Sequence, residues 1–267
     1  MKDQKTTGPL KVVWVMAALL LCTSMAWAKP NPKVLIFCKT AVFPHKSIPA
    51  GIAAIKKLGA ENKFDVDTTT DVSKFTDANL KQYATIIFLS PTSNMQKVVF
   101  KDSVNKEAFK KYIEKGGGFL GIHSATDFGY EWPWYGQLVG GYFLGHPRKN
   151  VQTATLKVID KNNPATKALP DTWTRTDEYY SFKPGSNPKD LHVLITLDES
   201  TEDYGTQTNL KMGDFHPMAW YHDYDGGRAF YTALGHTDES FSDPLVLDHI
   251  LGALQYTMGK KYKGKKQ

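Results

Sequence analysis

The sequence predicts an α/β fold: a largely parallel central sheet, helices on both of its faces, and extra β-strands in the second half. Three observations predict it. Continuous apolar runs at Val34–Cys38, Ala84–Leu89 and Phe119–Ile122 have the length and composition of strands buried on both faces. Segments with helical apolar spacing lie between them, and strands that alternate with helices pair in parallel because each crossover needs a helix's length of chain. After Asn150 this alternation gives way to short strand-like stretches. The chain of 267 residues, 41% hydrophobic and 22% charged, is too apolar for disorder and shows no internal repeat or long linker, as expected for one folded domain.

Each element has a local reason. After Val34–Cys38 comes the loop Phe43-Pro44-His45, and Ser47 is placed to cap a helix with Ile48, Ile52, Ile55 and Leu58 on one face, stopped by Gly59. Phe64–Asp67 alternates like a strand, and Thr76–Leu80 reads as a short helix. Asn105–Lys115 carries Phe109, Tyr112 and Ile113 on one helical face and is closed by Gly116. Residues 133–143 are expected to form another helix. Thr153–Ile159, Trp173–Tyr180, Leu191–Leu197, Met218–Tyr221 and Arg228–Leu234 read as strands, and Leu245–Tyr256 as a closing helix.

The ends are unlike the body. Lys2, Lys5 and Lys11 precede the apolar run Val12–Cys22, and Ala26-Trp27-Ala28 supplies a small-x-small cleavage pattern. This order predicts a signal peptide over residues 1–28, cleaved after Ala28. The apolar run is shorter than the roughly 20 residues a spanning helix needs, so no stable membrane insertion is expected after cleavage. The expected location is periplasmic or extracellular. The formal charge of +6 also belongs to the ends. Setting aside three lysines and Asp3 in the leader and five lysines in the tail 260–267 leaves 25 basic against 26 acidic residues over 29–259. A near-neutral body argues against a nucleic-acid partner, and the tail is expected to be solvated. Only Cys38 remains after cleavage, so no internal disulfide is expected. Its place in an apolar strand marks it as a small core residue rather than a nucleophile.

The glycines at Gly116-Gly117-Gly118-Phe119-Leu120-Gly121 match a dinucleotide fingerprint in spelling only. They follow a helix and precede a strand, the reverse of the order that places a pyrophosphate on a helix N-terminus, so no nucleotide is expected. Gly121-Ile122-His123-Ser124-Ala125 has the layout of a nucleophile elbow, with His123 where Ser or Cys normally stands. An uncharged imidazole there suits a general base or a metal ligand. His236 follows the strand Arg228–Leu234, and His45 follows the first strand, so three histidines are expected at one sheet edge, where open α/β sheets gather their functional groups. Asp177-Glu178 offers carboxylates near another strand end, and Asp127 lies just past the elbow. His146 and His216 sit in turn-like contexts and are expected to be structural. No H-E-x-x-H or C-x-x-C occurs. Tyr130, Trp132, Trp134 and Tyr135 crowd the segment after the elbow, as a packed lid or as a platform for a sugar ring.

Taken together, Phe43-Pro44-His45, the glycine-rich run through Ala125, Gly145-His146-Pro147, Asp177-Glu178-Tyr179-Tyr180 and Gly226-Gly227-Arg228 through Gly235-His236 resemble the ThuA-like (trehalose-utilisation) family. The resemblance covers about Lys33 to Gly259. It implies a class I glutamine amidotransferase-like fold, a flavodoxin-like three-layer α/β/α sandwich, and a link to trehalose and related keto-sugars. His123 occupies the place of the amidotransferase cysteine, so thiolate attack on glutamine is not expected. Three readings stand. In the first, His123 and His236 move protons on a small saccharide or keto-sugar, with Glu178 orienting one of them and His45, Asp127, Tyr130, Trp132 and Trp134 binding the sugar. In the second, His45, His123, His236 and Glu178 hold a divalent metal such as Zn. The third is a non-catalytic sugar-binding or interaction module on the same amidotransferase-like fold.

Overall fold

The computed structural model describes residues 30–185 and 191–265, together with Asp3; the expected leader and its cleavage point otherwise lie outside the described residues. The chain forms β1 (Lys33–Phe37), α1 (Ile48–Asn62), β2 (Asp65–Thr69), α2 (Asp77–Leu80), β3 (Tyr83–Leu89), α3 (Ser103–Glu114), β4 (Gly118–Ile122) and α4 (Pro133–Val139). There follow β5 (Phe143–Gly145), β6 (Val151–Val158), β7 (Thr172–Glu178), β8 (Ser181–Phe182), β9 (His192–Leu197), β10 (Pro217–Tyr224), β11 (Gly227–Thr232) and α5 (Pro244–Met258). Nine strands make one sheet in the order β2-β1-β3-β4-β11-β10-β9-β6-β7. Pairing is parallel from β2 to β11 and antiparallel from β11 to β7. The parallel half has the doubly wound, flavodoxin-like order.

Side-chain alternation along the strands separates the layers. Phe88 stacks on Phe109 of α3 and Tyr135 of α4, while its neighbour Leu89 lies against Gly51 of α1. Phe119 likewise packs on Phe109 and Tyr135, while Gly118 sits under Thr257 of α5. Successive strand residues point to opposite faces. Helices α1 and α5 therefore cover one face and α3 and α4 the other, giving the three-layer sandwich. β3 and β4 are buried along their whole length, whereas β7 alternates between buried and exposed until its last two residues, so the antiparallel half shows one face to solvent. There Thr153 and Thr155 hydrogen-bond across to Thr176 and Thr174, at 2.6 and 3.1 Å.

Several local expectations change. Ser47 stands at the start of α1 but makes no side-chain cap; its Oγ donates to the Gly235 carbonyl at 2.9 Å. Gly59 does not stop α1, which runs on to Asn62 and ends at Lys63, whose φ of 60° is left-handed. Gly59 is needed for close approach instead, since a Cβ there would lie 2.6 Å from the Phe64 carbonyl oxygen. The helix expected over 133–143 ends at Val139, and β5 follows, pairing with β8 in a separate two-stranded sheet. Strands of two or three residues carry no readable period. The basic tail is not wholly solvated: a 3-10 turn over Gly259–Lys261 leads to buried Tyr262, whose hydroxyl donates to the Lys265 carbonyl at 3.1 Å. Among the described residues no helix is long and apolar enough to cross a membrane.

Candidate functional site

The site lies beyond the C-terminal ends of the parallel strands, where the chain must turn sharply. Ser90 after β3 and His123 after β4 are left-handed, with φ of 47° and 51°, and Gly235 after β11 has φ of 118°. A left-handed conformation costs a non-glycine residue about 1–3 kcal/mol and persists only where the surroundings enforce it. At His123 they do. Ser90 N donates to the Ile122 carbonyl at 3.2 Å, and the Tyr231 hydroxyl donates to the His123 carbonyl at 2.8 Å. The elbow is therefore real, although the segment after it is a single 3-10 turn over His123–Thr126.

The imidazole of His123 is fully buried. Its Nδ1 donates to the Ala233 carbonyl at 2.9 Å, which fixes the tautomer and leaves Nε2 facing the other residues of the cluster. Nε2 lies 3.2 Å from Glu178 Oε2, 3.1 Å from His236 Nδ1 and 3.1 Å from the Tyr180 hydroxyl. His236 Nδ1 is in turn 2.9 Å from Glu178 Oε2. The His45 ring stands edge-on to both, with centroids 4.7 Å from His123 and 5.3 Å from His236, and its Nδ1 contacts Ser124 Oγ at 3.3 Å. One ligating atom from each of His45, His123, Glu178 and His236 lies within 4.8 Å of the others. The four residues named as candidate ligands in the sequence thus meet at one point.

Electrostatics follow from this packing. Burial and the neighbouring histidines hold His45 down at about 2. Burial alone would raise Glu178, but hydrogen bonds to His123 and His236 and their charges outweigh it and hold the carboxyl well below its ordinary range. For His236 burial is outweighed the other way: the Glu178 carboxylate raises it. The second oxygen of Glu178, Oε1, accepts from Asn150 Nδ2 at 2.9 Å and faces His146 Nε2 at 3.5 Å.

A cleft of about 280 Å³ opens over this cluster. His45, Glu178 and His236 line it together with Asp127, His146 and Asn150, and Phe43, Phe143 and Tyr180 supply apolar walls. Burial pushes the Asp127 carboxyl up to about 6, although its Oδ1 accepts a hydrogen bond from the Tyr130 hydroxyl at 2.6 Å. Tyr130 acts through that bond, its ring stacked on Tyr142. The rest of the aromatic run is not brought to the cleft. Trp132 is buried against Phe100 and Phe109, and Trp134 stacks on Trp132 and donates to Asp225 at 2.8 Å. They form a packed layer over α3. The residues that do line the cleft include four that sequence reasoning passed over as ligand contacts: Phe43, Phe143, Asn150 and Tyr180. His146, expected to be structural, stands in the cleft wall. The adjacency of Phe43 to His45 and of Tyr180 to Glu178 was the available signal; nothing in the sequence marks Phe143 or Asn150. His216 matches its structural expectation, with Nε2 donating to the Tyr180 carbonyl at 2.8 Å.

The profile of the ThuA family, described as trehalose utilisation, matches residues 33–257. Among solved structures, a ThuA-like protein of Bacteroides uniformis is 26% identical with a TM-score of 0.70, covering 88% of this chain and 94% of its own. A ThuA-like protein of Parabacteroides merdae is 20% identical with a TM-score of 0.66, covering 90% and 93%. A cytoplasmic protein of Salmonella typhimurium shares the fold at 14% identity and a TM-score of 0.58, covering 86% and 100%. No curated protein matches the sequence.

Proposed function

The chain belongs to the ThuA (trehalose-utilisation) family, and from that premise we propose that it is an exported protein that acts on a small saccharide or keto-sugar, with a divalent metal held by His45, His123, Glu178 and His236. The observation that carries this reading is the convergence of four ligating atoms within 4.8 Å at the base of a cleft with both polar and aromatic walls. The donor set fits the ion. Three imidazoles and a carboxylate suit Zn or a similar borderline metal. His123 also shows the supporting bond typical of a ligand histidine: its far nitrogen donates to a backbone carbonyl. Glu178 is also held, by Asn150 on Oε1, the oxygen turned away from His123 and His236.

When bound, such an ion supplies Lewis-acid polarisation of a substrate carbonyl or hydroxyl oxygen. The chain's own residues do the rest. Asp127, with its carboxyl near 6, exchanges a proton with the sugar through Oδ2 while Tyr130 holds Oδ1. His236, partly open to the cleft, can reach substrate, whereas His123 is sealed beneath it. Phe43, Phe143 and Tyr180 offer flat apolar faces to a pyranose ring, and Asn150 and His146 offer polar contacts to its hydroxyls. The near-neutral body supports a neutral ligand. Glutamine amidotransferase chemistry is not part of the proposal, because the elbow carries His123 and burial raises the Cys38 thiol. Export rests on the leader pattern of residues 1–28.

The test combines elemental analysis of protein purified without chelators with a screen of disaccharides and their 3-keto forms for thermal shift and turnover. One metal per chain, lost in His123→Ala, with chelator-sensitive turnover is the expected result. Sub-stoichiometric metal in both proteins with chelator-insensitive turnover would replace the metal by proton transfer through His236 and Asp127. Ligand binding without turnover would make the protein a sugar-binding module. No shift and no turnover across the panel would overturn the saccharide reading.

A further inference from the structure

Strand order alone would keep Glu178 away from the histidines. It ends β7, the outermost strand, five places from β4 in the sheet. At about 4.8 Å per strand, a flat sheet would leave those two strands more than ~20 Å apart. Yet Glu178 Oε2 is 3.2 Å from His123 Nε2. The antiparallel half therefore curls back over the strand ends. β7 pairs in register with β6, and at its end it meets the segment that follows β11.

That meeting is made by Asp177, which is fully buried. Its Oδ1 accepts from the backbone N–H of Glu178 at 2.9 Å and of His236 at 3.0 Å. Its Oδ2 accepts from Gly235 N and from Ser240 Oγ, both at 3.0 Å, and from the guanidinium of Arg175. Arg175 supplies the compensating charge that a buried carboxylate needs, and it also donates to Ser240 Oγ at 3.0 Å. One carboxylate oxygen thus holds the backbones of two ligating residues that lie 58 positions apart in the chain.

We propose that Asp177 is a positioning residue: it closes the curled half of the sheet onto the loop after β11 and so sets the distance between Glu178 and His236. The inference rests on the metal reading above. Asp177 cannot touch substrate, because no part of it reaches the cleft. Its role needs a carboxylate. An asparagine of the same shape has one acceptor oxygen and an NH₂ group, so it would turn two N–H donors either on the Glu178 and His236 amides or on Gly235 N and Ser240.

The test compares wild type with Asp177→Asn and Ser240→Ala at a temperature where circular dichroism shows all three folded. Zn²⁺ affinity is measured by competition with a chromophoric chelator, and amide exchange is followed in the metal-free proteins. Asp177→Asn is expected to weaken Zn²⁺ binding about ten- to hundredfold, and Ser240→Ala by less. The Gly235 and His236 amides should exchange faster in Asp177→Asn, while those of the β10–β11 ladder stay as in wild type. Wild-type Zn²⁺ affinity in folded Asp177→Asn overturns the proposal. A wild type that binds no Zn²⁺ overturns the metal reading instead, and amide exchange then decides alone: unchanged Gly235 and His236 rates overturn the positioning role. If Asp177→Asn does not fold, Ser240→Ala with both wild-type affinity and wild-type exchange overturns it.

Discussion

The five parallel strands and the four antiparallel strands of the sheet serve one site in different ways. The parallel half supplies His45, His123 and His236 from the segments that follow β1, β4 and β11, all on one edge: His123 directly after its strand, His236 a few residues on and His45 from the loop beyond β1. The antiparallel half supplies Glu178 from the far edge strand, with His146, Asn150 and Tyr180 from the segments around β5, β6 and β8. In the first, the sheet's hydrogen-bond register does the placing. In the second, placement depends on a curl and on one buried carboxylate. A candidate ligand set split this way has three members supplied from the edge of the parallel half and one brought there by a long-range closure.

The largest contrast is in tolerance to volume. Gly118→Val in β4 would put a Cβ 2.3 Å from the Thr257 carbonyl oxygen and 2.7 Å from Thr85 Oγ1. Backbone cannot yield there, so a loss of more than ~4 kcal/mol and no soluble folded protein are expected. Thr174→Val, on the exposed face of β7, is expected to stay within about 0.5 kcal/mol of wild type in urea unfolding. Equal effects would erase the distinction between the two halves.

Next come the two histidines of the parallel half that differ in exposure. His236→Ala is expected to cut turnover about a hundredfold or more, with a smaller loss of melting temperature than His123→Ala, because its side chain is partly open to the cleft whereas His123 is fully buried. His123→Ala should cost the same turnover and also destabilise by about 1–3 kcal/mol, since it leaves the buried Ala233 carbonyl without its donor. If His236→Ala lowers stability and leaves turnover per folded molecule unaltered, the histidine is structural.

A smaller effect is expected at the cleft rim. Phe43 is 53% exposed, but its loop is clamped: Thr92 Oγ1 accepts from the Phe43 amide at 3.0 Å, and a 3.0 Å contact runs between Thr92 Oγ1 and the Phe43 carbonyl. Phe43→Ala should weaken saccharide binding by about 0.5–1.5 kcal/mol in calorimetry without a thermal shift in the free protein. Unchanged affinity would move the stacking role to Phe143 and Tyr180.

The smallest expected effect is a pH dependence. Burial raises Asp127 from 3.8 to about 6, so its contribution to stability is fully present below the ordinary carboxylate range and lost as pH rises through about 6. Asp127→Asn should therefore melt with wild type at pH 4 and somewhat above it at pH 8. A melting difference that is largest at low pH would reverse the assignment.

The sequence by itself determined the parallel half. Apolar runs such as Ala84–Leu89, set between helical segments, leave few topologies, and a strand that ends in Gly-Ile-His-Ser-Ala or runs into Gly-His announces a turn at the functional edge. His45, His123 and His236 were legible for that reason, since a strand end is a local property. Glu178 was legible as a carboxylate near a strand end and was grouped with the histidines, but the route by which the far edge strand reaches them was not legible. Tertiary structure alone decided that the outermost strand curls back, that Asp177 closes it, and that His146 and Asn150 stand beside the carboxylate. It also sent Trp132 and Trp134 into the layer over α3, where Phe100 and Phe109 receive them. Alternation tells a strand which face to bury and does not say what its end will meet. That is settled by the sum of twist along nine strands and by which buried polar groups find partners across the chain, and neither quantity is written in any short stretch of residues.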